Sequence, residues 1–244
     1  LGVNARASGD YSFATGLATI ASGFASVALG HLSTASGDSS FAAIGGQAKE
    51  LGTVAIGSFA RAMGESALAL GQSSTSSGMS SVAIGPNTAS GFGALGVNST
   101  ASGDLSVAIG WGADTNGKRG AMVFADHCGA FPTARLTATA ENQFVARACG
   151  GVKIYTDNTL DNVVEITPGG GSWSSISDVN RKENFEALDG DEVLLRLRDV
   201  PVMTWNYKSQ DAEIRHAGPT AQDFHAAFGL GESELAINTI DIDG

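Results

Sequence analysis

The chain is short of charge, and of positive charge above all. Among 244 residues, 14 Lys and Arg stand against 25 Asp and Glu, a net charge of −11. A nucleic-acid binder neutralises phosphates with clustered Lys and Arg, so this balance argues against that class. Long apolar runs are missing too: none approaches the roughly 20 residues of a membrane-spanning helix. Cysteine is limited to Cys128 and Cys149. Neither lies in a CxxC context of the kind that marks zinc or redox sites, and their spacing leaves open a disulfide formed outside the cell or two buried free thiols. The four histidines, His31, His127, His216 and His225, are isolated and lack metal-ligand spacing. No metal and no cofactor is therefore expected. The first residues, Leu1-Gly2-Val3, fall inside a repeat, with neither a charged leader nor an apolar signal region. They read as an internal piece of a longer protein.

Glycine, by contrast, is abundant and periodic. It recurs every seven residues at Gly2, Gly9, Gly16, Gly23, Gly30 and Gly37, again from Gly57 through Gly64, Gly71, Gly78 and Gly85, and at Gly96, Gly103 and Gly110. An aliphatic residue precedes many of these glycines, as at Leu29, Ile56, Leu70, Ile84 and Ile109. A fixed period of this kind marks a solenoid or array. Seven residues are too few for a helical hairpin, and the apolar heptad seam of a coiled coil is absent. Alternation such as Ser-Val-Ala-Ile-Gly is the period-two pattern of a strand with one buried face. Glycine at the strand end permits a positive φ and close backbone approach. Two units, fourteen residues, make one coil of a parallel β-roll, and about eight coils at a spacing of about 4.8 Å build a rod roughly 35–40 Å tall. Each coil is expected to enclose a thin seam of Ala, Val, Ile and Leu, little apolar area to set against ordering entropy. A roll this thin calls for neighbouring coils and for other chains.

The half-repeat of Ser, Ala, aliphatic and Gly positions over about residues 1–110 resembles the head domain of trimeric autotransporter adhesins of the Yersinia type. The resemblance implies three chains side by side in a left-handed parallel β-roll. It supports that fold and not membrane anchorage, because the anchoring β-barrel of such adhesins is absent from this chain. Two irregularities depart from the pattern: a repeat lengthened around Ile44-Gly45-Gly46-Gln47 and a shortened one at Gly85–Gly96. Both are expected to be loops that break the roll surface.

From Trp111 to Gly171 the seven-residue register is lost. The stretches AMVFA, NQFVARA, GGVKIYTD and NVVEIT read as short strands between turns, so residues 111–171 are expected to form a β-rich neck or shaft. Pro168-Gly169-Gly170-Gly171-Ser172 is a flexible linker by composition. Acidic residues become dense after Arg181, which marks a further domain over 172–244. There, Asp189 and Glu192 have capping-box spacing before an apolar run, VPVMTWNYK alternates as a strand, and Thr220 with Asp223 opens a second helix that Gly229 ends. The result is a compact α+β module.

This module resembles the intramolecular chaperone domain of phage endosialidase tailspikes, a self-cleaving family of trimeric fibres. The matching blocks are Ser177-Asp178, Lys182, Asn184-Phe185, Trp205-Asn206-Tyr207, His216, and Gly218-Pro219-Thr220-Ala221-Gln222-Asp223. Family members commonly continue into a helical segment beyond this point, and here the domain is expected to be truncated. The resemblance implies that Ser177 is a nucleophile and Lys182 its base, and that the bond cut is Ile176–Ser177. A serine hydroxyl needs a base to remove its proton, and a lysine serves only where desolvation lowers its pKa. Asn180 departs from the family, which often carries a basic residue there; Arg181 follows one place later.

Together these features point to a homotrimeric extracellular fibre, on a cell surface, virion or injection machine, that attaches to an unknown receptor or glycan. Its C-terminal chaperone would template assembly and cleave itself once at most. A polysaccharide-degrading spike is the alternative, but glycoside hydrolysis usually needs two neighbouring carboxylates. The repeats offer only Asp10, Asp38, Glu50, Glu65 and Asp104, spread over many coils. A lattice-binding roll of the ice-binding type is a third reading, weakened by the lack of a regular threonine ladder.

Overall fold

In a computed structural model, residues 2–128, 135–231 and 233–238 are described. The chain divides into two compact units, Leu1–Val152 with Thr167–Gly170 and Lys153–Ile166 with Gly171–Gly244.

The first unit is a parallel β-solenoid of about nine turns, built from two ten-stranded sheets. One sheet holds the longer strands, from Phe13–Leu17 through Val27–His31, Val54–Ile56 and Leu68–Leu70 to Phe144–Arg147. The other is made mostly of two-residue strands such as Ile20–Ala21, Thr34–Ala35 and Thr88–Ala89. Every strand pairs with the strand two places along, so the chain alternates between the sheets as it climbs.

Side-chain size decides which face turns inward. Ala28, Ala42, Ala55, Ala69 and Ala83 stand in register in the longer-stranded sheet and are fully buried. Ala21, Ala35, Ala48 and Ala62 form the matching column opposite. Ser26, Ser40, Thr53, Ser81 and Ser106 line the turns, and each hydroxyl donates to the carbonyl three residues before it at 2.5–2.7 Å. These bonds offset the cost of burying the hydroxyls. Over the regular coils the seam is therefore alanine with serine and threonine, in place of the expected Val, Ile and Leu; only towards the C-terminal end does an aliphatic enter it, where Val123 is fully buried with Leu136 and Val145 packed nearby. Period two places the aliphatics of the longer strands on the opposite face, where Val27, Leu29, Val54, Ile56, Leu68, Leu70 and Val82 are half-buried and Ile84 is exposed.

Glycine between coils answers a steric demand. A Cβ at Gly9, Gly23, Gly37, Gly64 or Gly78 would lie 2.0–2.3 Å from a backbone oxygen of the next coil. No side chain fits there.

The two irregular repeats are absorbed within turns, and the ladders continue through them. Ala42 pairs with Ala55, thirteen residues on, so the coil through Ile44–Gln47 is one residue short of fourteen and not lengthened. The shortening after Ala83 is real: it pairs with Gly96 after thirteen residues, and Gly96 with Ala108 after twelve. Where the glycine register fades, the roll persists. Val107–Gly110 pairs with Met122–Ala125, and that strand with Phe144–Arg147, across steps of fifteen and twenty-two residues. Cys128 and Cys149, which follow these last two strands, form a disulfide with a Cα separation of 6.0 Å.

In the second unit the strands Val163–Ile166 and Ser174–Ser175 pair antiparallel. The Gly-rich run lies between them as a turn, with Gly169 at φ 72° and the Gly170 amide donating to Thr167 O. Composition alone had suggested a linker; pairing on both sides makes it a hairpin connection. Helix α1, Gly190–Asp199, is capped by Asp189, whose carboxylate accepts from the amides of Asp191 and Glu192. Helix α2, Ala221–Phe228, is capped by Thr220 and closed by Gly229 at φ 65°. Between them Met203–Trp205 and His216–Gly218 form an antiparallel pair. Neither helix buries a single residue, and Leu194, Leu195 and Leu197 on α1 remain exposed.

Candidate functional site

A short 3-10 turn brings Ser177 and Lys182 together. Asp178 caps Val179–Arg181, accepting from the backbone amide and the side-chain amide of Asn180, each at 2.9 Å. These donors, the backbone amide first, hold the Asp178 carboxyl below its usual range. The turn reverses the chain between residues 177 and 182. Lys182 Nζ then donates to Ser177 Oγ at 2.7 Å, the contact a nucleophile–base pair requires. Both residues are exposed, as is Ile176, which precedes Ser177. Arg181, one place past the expected basic position, reaches the Asp161 side chain at 3.1 Å and ties the turn to the loop before Val163–Ile166.

The remaining motif residues form a separate cluster. His216 pairs with Trp205 across the two-stranded sheet, its ring 4.9 Å from the Trp205 ring and 5.7 Å from that of Tyr207. Its Nε2 lies 2.9 Å from Gln210 Oε1. Gly218 pairs with Met203, and Ala221, Gln222 and Asp223 form the first turn of α2, where the Asp223 amide donates to Thr220 Oγ1. Neither the Ser177 nor the Lys182 side chain hydrogen-bonds to this block among the described residues. Asn184 sits at φ 56° beside an exposed Phe185. Within one chain, then, the structure joins the dyad but does not bring the other motif residues to it.

The end of the roll carries a second cluster. Asp126 accepts from the Cys149 amide at 2.7 Å and from Arg147 Nε at 3.0 Å, and these donors lower its pKa. Asp126, Cys128 and Cys149 are close enough to hold a metal, but the two sulfurs are bonded to each other and offer no thiolate. The roll's carboxylates serve turns: Asp38 accepts the Phe24 amide and Asp104 the Phe92 amide, both at 2.8 Å. On the outer face of the short-stranded sheet, Thr75, Thr88 and Thr100 align for three coils, bounded by Arg61 and Asp114. That run is too short for an extended lattice. Among the described residues no helix is long and apolar enough to cross a membrane.

The chain is thus of a two-part class, a repetitive β-roll followed by a small α+β module that carries a serine–lysine contact. Comparison with protein families agrees with that class. Residues 177–229 match the family model described as chaperone of endosialidase. Residues 1–18, 21–48, 62–88 and 94–113 match the YadA head domain repeat. No curated protein matches the chain. The chain thus combines YadA-type head repeats with an endosialidase-type chaperone domain, as in trimeric autotransporter-like fibres.

Proposed function

We propose that the protein is a segment of a homotrimeric extracellular fibre whose roll attaches to a surface receptor or glycan and whose C-terminal domain templates assembly. One observation carries the reading. Val, Ile and Leu of the longer strands stand in columns on the outer face of the roll, while the other sheet presents Thr, Gln and Arg after a single Ile20. A solvated roll gains nothing from such columns; contiguous apolar patches of this kind mark interfaces. Packing against two further copies around a three-fold axis removes them from water, each copy's columns meeting a different face of its neighbour so that the ring closes. The unburied helices α1 and α2 make the same demand in the second unit. Light scattering coupled to size exclusion tests this directly: three times the 24.7 kDa chain mass is expected. A monodisperse monomer would sink the reading.

Self-cleavage follows from the dyad. Lys182 takes the proton of Ser177 Oγ, and the oxygen attacks the Ile176 carbonyl carbon. The Ile176–Ser177 amide breaks as its nitrogen leaves protonated, and water then hydrolyses the resulting ester. The exposed dyad of one chain lacks the water-excluding walls that make a lysine a base, so cleavage waits for assembly. Mass spectrometry of the denatured chain reads the outcome. Two fragments divided at Ile176–Ser177 are expected, and a single intact mass from Ser177→Ala and from Lys182→Ala. A Ser177→Ala chain that is processed normally removes the nucleophile assignment.

A further inference from the structure

The shortened coils after Ala83 create a recess that the fibre reading leaves unused. The step joining the two sheets is five positions from Leu70 to Thr75, four from Ile84 to Thr88, and three from Val97 to Thr100, then five again from Ile109 to Asp114. The ridge of turns therefore recedes over two coils and steps out again at the third, which carries Trp111. The recess has a volume of about 450 Å³ and is lined by Thr88, Asn98, Thr100, Trp111 and Arg135, among others. Thr88 and Thr100 belong to the polar sheet, so the recess opens beside the face without aliphatic columns.

Its polar and aromatic groups are held in place. Trp111 is half exposed, its ring edge-on to His127 at 5.6 Å and its carbonyl bonded by Arg147 Nη2 at 3.1 Å. The exposed Arg135 guanidinium is fixed through Nη1 to Asp114 Oδ2 at 2.9 Å. Its Nε–Nη2 edge makes no hydrogen bond among the described residues. Asn98 is exposed, with its side-chain oxygen over Gly85, where a Cβ would lie 2.2 Å from it.

We propose that this recess binds a carboxylated sugar residue, a uronic or sialic acid unit of a surface glycan. The indole offers an apolar plane for the C–H face of a pyranose ring, and a recess with a few fixed polar groups sets orientation. The threonine hydroxyls and the Asn98 amide supply donors and acceptors for ring hydroxyls. The open guanidinium edge matches a carboxylate bidentately, which a neutral sugar cannot use. The proposal rests on the attachment role given above and names the ligand class of that role.

The test is a glycan array probed with the full chain, carrying uronate and sialate oligosaccharides beside their carboxyl-reduced, neutral counterparts. Retention of a carboxylated glycan over its neutral counterpart is expected, and the uronate and sialate arms tell the two sources apart. Titration with the retained oligosaccharide should change tryptophan fluorescence equally in wild type and in Trp173→Phe. Trp111→Ala and Arg135→Gln should each weaken binding at least about tenfold, with circular dichroism unchanged. The proposal fails if only neutral glycans are retained, if none is, or if both variants bind as wild type. A chain that adheres to whole cells but ignores carboxylated glycans would overturn this site and leave the attachment role standing. A chain that binds neither overturns both.

Discussion

The glycine column allows the sharpest test of how the coils are held together. In Gly78→Ala the new Cβ would lie 2.1 Å from Gly91 O, 2.6 Å from its carbonyl carbon and 2.8 Å from Ser90 O. All three are backbone atoms, so no side chain can swing aside. Relief requires the two coils to part by more than 1 Å, yet the Ser77 amide holds Ala89 O at 2.9 Å and the Gly78 amide holds the same oxygen at 3.5 Å. Stretched so far, those bonds leave hydrogen-bond range. Losing two of them at about 1 kcal/mol each, and overpacking the seam by about 1–3 kcal/mol, gives a cost of about 3–5 kcal/mol. For a chain of this size that lowers the thermal midpoint by about 6–20 °C. The control is Gly150→Ala, where the added Cβ meets nothing within 4 Å. Its midpoint should stay close to wild type. Thermal melting followed by circular dichroism in the strand region compares the three chains. A Gly78→Ala chain that melts within 2 °C of wild type would refute the reasoning, since coil spacing could then not be set by backbone contact at this column.

Three further outcomes follow from other parts of the molecule. Cys128 and Cys149 close a loop with a sequence separation of 21, so reduction or Cys128→Ser should destabilise the end of the roll by about 3 kcal/mol, and an unchanged melt in reductant would count against the pairing. Leu68→Asp places a charge in the outward aliphatic column and should dissociate the trimer, whereas Thr75→Asp on the polar sheet should leave it intact; light scattering distinguishes them. The Asp126 carboxyl, lowered first by the Cys149 amide and then by Arg147, contributes stability that is present above its unfolded pKa of about 4 and lost as pH falls through the folded value. Between pH 5 and pH 2 the melting temperature of wild type should therefore fall more steeply than that of Asp126→Asn, and parallel curves would exclude the contribution.

The roll was legible in the sequence because its period is a property of the chain, and so were both helices, because Asp189, Thr220 and Gly229 announce their ends. Ser177 and Lys182 were singled out by a family resemblance alone; what the structure adds is that one 3-10 turn between them brings the two side chains into hydrogen-bond contact. Which face of the strands turns inward was not legible. Alanine and isoleucine are both apolar, and alternation alone does not show that the regular coils turn the smaller one inward. The last two coils were hidden because steps of fifteen and twenty-two residues erase the glycine register while parallel pairing continues. Trp111 and Arg135 were hidden for a related reason. They lie far apart along the chain, and only the stacking of successive coils brings them to one recess.

That stacking raises a problem that the proposed assembly answers. Ala28, Ala42, Ala55, Ala69 and Ala83 see nearly identical neighbours, so a slip of one whole coil preserves most of the seam. Strand register is well specified only where a shift is punished, and fourteen-residue steps between equal coils punish it little. One early coil, from Ala42 to Ala55, is thirteen residues, but successive irregular coils of thirteen, twelve, fifteen and twenty-two residues come only after Ala83. Three chains adding coils from the N-terminal end would meet the ambiguous repeats first. Chains aligned at the C-terminal module instead enter the irregular coils first, fix a common register there, and extend it upward through coils that cannot fix it themselves. The proposed cleavage at Ile176–Ser177 after that point would make the aligned state one the chains cannot easily leave and rebuild, which is stability held by a kinetic barrier. On the proposed reading the cut belongs after trimerisation, because Ser177 and Lys182 are exposed in the single chain and would need neighbouring chains to exclude water from them.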